Sequence, residues 1–71
     1  MLGTYLKQYM KNNGIKQSYL SEKTGITPQT LTAILDGQRK MEVAEYYDIC
    51  AAIGVSPTGI ATEAGVYRVA K

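Results

Sequence analysis

The sequence contains no histidine and a single cysteine, Cys50. Without histidine there is no imidazole base and no Cys–His couple for nucleophilic catalysis. One cysteine cannot close an internal disulfide, which points to a reducing compartment. There is no tryptophan or phenylalanine, and five of the six tyrosines fit helix faces as core or boundary residues. A platform for stacking single-stranded bases needs its aromatics clustered on one open face, and that pattern is missing. The longest apolar run, 49–55, is seven residues with a glycine inside it, far short of the ~20 needed to span a bilayer. No basic-then-apolar signal opens the sequence, and no glycine-rich loop is spaced to cradle a nucleotide. Glu42, Glu45 and Asp48 fall on or near the solvated side of one helix, with no matching cleft. The expectation is a cytoplasmic protein without enzymatic activity, metal, cofactor, membrane partner or small-molecule ligand.

What is present is charge with a direction. Residues 1–40 hold Lys7, Lys11, Lys16, Lys23, Arg39 and Lys40 against Glu22 and Asp36, a balance of +4. Residues 41–71 hold Arg68 and Lys71 against Glu42, Glu45, Asp48 and Glu63, a balance of −2, which completes the net +2. Such a gradient orients a molecule towards a polyanion. The 71 residues suffice for one domain. A chain of this size buries only roughly 60–65% of its unfolded surface, so helix packing or self-association has to support a small core.

The apolar period is helical throughout. Leu2, Tyr5, Leu6, Tyr9 and Met10 predict a first helix stopped at Gly14. A second runs over about 17–24, with Leu20 inward, and ends at Gly25, which can adopt the left-handed turn. Thr27 then Pro28 spell the start of a third helix: a hydroxyl cap, then a residue with no amide hydrogen to satisfy. Leu31, Ile34 and Leu35 form its inner side, and steps of ~100° bring Gln29, Thr32, Ala33 and Asp36 out opposite. A fourth helix over about 42–53 has Val43, Tyr46 or Tyr47, Cys50 and Ile53 as its expected inner stripe. Ser56-Pro57 opens a short fifth through Ile60 to Ala64, weakened by Gly59. Residues 65–71 are β-branched and aromatic, reading either as a short extended strand or as a frayed end.

The placements in QSYLSEKTGITPQTLTAILDG, residues 17–37, agree with one another. Ser21 is small where two helices cross, Gly25 makes the turn, and Leu31 and Ile34 anchor the second helix. With the run AAIGVS at 51–56, the pattern resembles the Cro/C1 (XRE) family of lambda-repressor-like DNA-binding domains over about residues 5–62. The resemblance implies an all-α, compact five-helix domain over 1–64, its helix-turn-helix at about 17–36, followed by a tail at 65–71. Two positions depart from the family. Where many members pair an arginine of helix one with a glutamate at the end of helix three, this sequence has Met10 and Leu35. Where many members open the third helix with glutamine or serine, it has Pro28, which can make only apolar contact.

In such a domain the third helix enters the major groove of double-stranded DNA. Gln29 can address adenine N6 and N7 with paired bonds, Thr32 can donate or accept, and Ala33 can pack on a thymine methyl. Pro28 and Thr30 flank them, Thr30 within reach of a base or a phosphate. Phosphate contacts are expected from Gln17, at the start of helix two, and from Lys16, Gln38, Arg39 and Lys40 on either side. The expected function is that of a sequence-specific transcriptional regulator, a phage- or mobile-element-type repressor on a palindromic operator. It would be a homodimer at least on DNA, with Ile60, Val66, Tyr67 and Val69 as dimer contacts. The alternative is an antitoxin-like module whose main partner is another protein.

Overall fold

The computed structural model describes residues 2–65, which form α1 (Leu2–Asn12), α2 (Gln17–Thr24), α3 (Pro28–Leu35), α4 (Val43–Ile53) and α5 (Pro57–Glu63). Among the described residues there is no strand. The tail, and with it Val66, Tyr67 and Val69, lies outside them. No helix among the described residues is long and apolar enough to cross a membrane.

Two of the helix starts follow directly from their residues. Thr27 accepts a hydrogen bond from the Thr30 amide at 3.3 Å, and Ser56 accepts one from the Gly59 amide at 3.2 Å. Each cap is followed by proline, where the missing N–H leaves nothing unpaired. The turn between α2 and α3 is held more tightly than its sequence suggests. Gly25 is left-handed (φ 77°) and its amide donates to the Ser21 carbonyl at 2.9 Å. The Ser21 hydroxyl donates to the Ile26 carbonyl at 2.5 Å, and the Ile26 amide donates to Thr24 Oγ1 at 3.2 Å. Ser21 is therefore small and also a clamp across the turn.

The core is one cluster drawn from all five helices: Leu6 and Met10, Leu20, Leu31 and Leu35, Ile49, and Ile60. Enclosing a leucine or isoleucine side chain contributes about 1.5–3 kcal/mol, so these few residues carry the fold. α1 packs on α3, α2 on both α3 and α4, and α4 on α5. At the α1–α3 seam Gly3 is buried, and a Cβ there would lie 2.4 Å from the Ile34 carbonyl oxygen.

α4 corrects the expected stripe. Ile49 and Cys50 are buried and Tyr46 and Ile53 half-buried, whereas Val43 is 70% exposed and Tyr47 57%. The helix rolls towards α2, which carries Ile49 inward. Val43 and Tyr47 are left on an open groove shared with Tyr46, Pro57, Thr58 and Ala61. Ile60, expected as a dimer contact, is turned inward. It is 4% exposed and packs into the core of its own chain.

The Tyr46 hydroxyl donates to the Pro57 carbonyl, tying α4 to the start of α5. Burial, aided by the neighbouring Cys50 thiol, pushes the Tyr46 pKa up to about 12, whereas an unfolded tyrosine titrates near 10. Between those values the unfolded chain has released a proton that the folded chain still holds. The stabilisation is therefore complete below about pH 10 and lost as pH rises towards 12. Tyr5, whose hydroxyl donates to Glu63 at 2.7 Å, is shifted in the same direction by that bond. Urea denaturation at about pH 9 and about pH 11 should show a loss of stability that Tyr46→Phe flattens without abolishing.

Candidate nucleic-acid interface

α3 presents two chemically different sides. Leu31, Ile34 and Leu35 are buried. Pro28, Gln29 and Thr32 are exposed, and Thr30 and Ala33 half-buried. The outward side therefore offers an amide, hydroxyls and a methyl, with no full charge until Asp36 at the helix end. Thr30 is partly engaged in the helix start, because its hydroxyl accepts from Thr27 Oγ1 at 2.9 Å. Thr32 is joined to α2 by Gln17, whose Nε2 donates to its hydroxyl at 3.3 Å. The two helices thus meet in a polar bond on the outside of the motif.

α2 begins differently from α3 and α5. Its first flanking residue, Lys16, is extended and no side chain caps the leading amides. An open helix start with a lysine beside it suits an anion. α1 adds to this corner: Lys7 and Lys11, one turn apart, line a crevice of about 320 Å³ together with Lys16 and Gln17. The place of Lys11 in this group, with Lys7 beside it, is not legible in the sequence. The i, i+4 spacing on α1 was visible, but the approach of that face to the start of α2 is tertiary.

Beyond α3 the chain turns through Gln38, Arg39 and Lys40, all exposed. The amides of Gln38 and Arg39 both donate to the Ala33 carbonyl, at 2.9 and 3.2 Å, which fixes the loop against the helix. Arg39 is not a loose cation. Its guanidinium donates to Glu45 at 2.9 Å, and that bond, with a further one from the Glu42 amide, holds the Glu45 carboxyl below its ordinary pKa. Among the described residues Lys11, Lys16, Lys23 and Lys40 enter no ion pair. Lys16 and Lys40 stand on opposite sides of the helix-turn-helix in the chain.

A helix-turn-helix family model matches residues 6–60, most of the chain. This chain belongs to the Cro/C1-type helix-turn-helix family. No curated protein and no solved structure gives a significant match. A Cro/C1-type domain is a DNA-binding transcription regulator. Within this Cro/C1-type domain the buried positions Met10 and Leu35, 2% and 1% exposed, belong to one apolar cluster. Exchanging a buried ion pair for well-packed apolar groups is often neutral or favourable. At the surface an ion pair nevertheless joins α1 to the end of α3, between Lys7 and Asp36.

Proposed function

We propose that this Cro/C1-type protein is a sequence-specific repressor of phage or mobile-element type that occupies a short palindromic operator as a dimer. The observation that supports this reading is the exposed, uncharged polar side of α3, flanked by an open α2 start and by lysines that enter no ion pair among the described residues. α3 lies in the major groove, with Gln29 as the principal base reader, Thr32 and Ala33 beside it, and Pro28 and Thr30 at its entry. Gln17, Lys16, Gln38 and Lys40 meet phosphates. Arg39 reaches one only with donors that its bond to Glu45 leaves over. About four neutralised phosphates per protomer correspond to a logarithmic salt slope of about −3 to −4. One eight-residue helix reads few base pairs, so two protomers on half-sites about 34 Å apart supply the specificity. Occupying a promoter requires no chemistry.

Selection of bound fragments from a random DNA pool tests this reading. The expected product is an enriched site with two-fold symmetry and half-sites one helical turn apart. An enriched site without symmetry removes the dimer, and no enrichment at all removes sequence-specific recognition. The second reading, a module whose main partner is another protein, has one observation in its favour. Val43 and Tyr47 expose apolar surface on a groove of about 350 Å³ between α4 and α5, away from α3. If Val43→Ser with Tyr47→Ser abolishes function in cells while duplex binding is intact, that second reading replaces the first.

A further inference from the structure

Asp36 occupies a doubly unfavourable position. It is the C-cap of α3, where the aligned backbone carbonyls already concentrate negative charge. It also extends the outward row of Gln29, Thr32 and Ala33 by one turn, as the only carboxylate on that row. Lys7 reaches it from α1, with Nζ 2.5 Å from Asp36 Oδ1, and the two side chains are 53% and 31% exposed.

An exposed pair of this kind adds little to folding, and the fold does not need it. The same two helices are already joined by the close approach of Gly3 to Ile34 and by the burial of Met10 and Leu35. What the pair does change is the charge beside the reading face. Duplex DNA carries one negative charge per ~1.7 Å of its axis, and a carboxylate facing it repels more strongly once water is displaced.

We propose that Lys7 acts in DNA binding through Asp36, as an electrostatic shield that neutralises the one carboxylate on the reading row of α3, and not as a phosphate ligand in its own right. This rests on α3 being the DNA-facing element. Lys7 is then a positioning residue: its ammonium is committed to Asp36, and Lys11, Lys16 and Lys40 are left to exchange counterions with phosphate.

The test is a double-mutant cycle on binding to a short random-sequence duplex at low salt, read by fluorescence anisotropy. Lys7→Met should weaken binding roughly tenfold when Asp36 is present, and roughly threefold or less in the Asp36→Asn background. Asp36→Asn alone should bind at least as tightly as the parent. Lys7→Arg, which keeps the pair, should retain parental affinity, and the melting temperatures of all four variants should stay within a few degrees of the parent. If Lys7→Met costs the same factor in both backgrounds, the shield is wrong and Lys7 is an ordinary phosphate contact. If the parent chain binds no duplex, the interface reading falls and takes the shield with it.

Discussion

Gly3→Ala should destabilise the domain by about 1–3 kcal/mol, although alanine is the better helix former. Two effects oppose each other. Replacing glycine within a helix gains up to about 1 kcal/mol. The added methyl, however, would sit 2.4 Å from the Ile34 carbonyl oxygen and 3.6 Å from the Leu35 Cα. Both of those atoms are backbone, so no side chain can swing aside, and α1 must withdraw from α3 to make room. Withdrawal loosens the contacts of Leu6 and Met10 with Leu31 and Leu35, a large part of a small core. For a domain this size each kcal/mol lowers the melting temperature by about 4–8 °C. Gly59→Ala is the internal control. Its Cβ would meet only the Ser56 side chain, Cβ at 3.4 Å and Oγ at 3.6 Å, and the Ser56 cap uses the backbone amide that alanine retains. It should stabilise the domain by a few tenths to about 1 kcal/mol. Thermal melts of the two variants should therefore move in opposite directions; if Gly3→Ala melts above the parent, the tight seam is wrong.

These two glycines also mark what was legible in the sequence. Helix boundaries were legible because the residues that make them act locally. Thr27-Pro28 and Ser56-Pro57 each carry a hydroxyl cap and a harmless proline, and Gly25 permits a backbone angle that other residues resist. The inner side of α3 was legible for the same reason, since Leu31, Ile34 and Leu35 repeat at the helical period. Gly3 was not: the need for it arises from Ile34, on a helix two elements away. Nor was the roll of α4. Val43 and Ile49 are both apolar and both near the stripe, and only the packing of α4 on α2 decides which of them turns inward. The ion pairs of Lys7 with Asp36 and of Arg39 with Glu45 were not legible either, because each joins residues that only the fold brings together. The outward residues of α3 could be identified by period, but what they touch is a property of a partner. Gln29 and Thr32 are exposed, and exposure is a condition for reading a groove, not a reading.

Gln29→Ala is the substitution that converts exposure into recognition. Glutamine can offer a donor and an acceptor together to the adenine edge, a geometry worth roughly 1–3 kcal/mol of discrimination against another base. The side chain lies on the outward face, with no hydrogen bond to the rest of the chain among the described residues. Truncating it should leave the melting temperature almost unchanged, so any loss of binding is a loss of contact. On the selected operator the variant should weaken by about 1–3 kcal/mol, and on random duplex by much less. Lys40→Ala provides the contrast. A lysine on phosphate contributes equally to every sequence, so its removal should weaken both duplexes alike and flatten the salt slope by about one unit. Titrations of both variants on both duplexes, across a salt series, separate the two roles. Equal losses on operator and random DNA for Gln29→Ala would place that side chain among the backbone contacts. No loss on either would remove α3 from the groove, because no other residue on its outward side carries a comparable paired donor and acceptor.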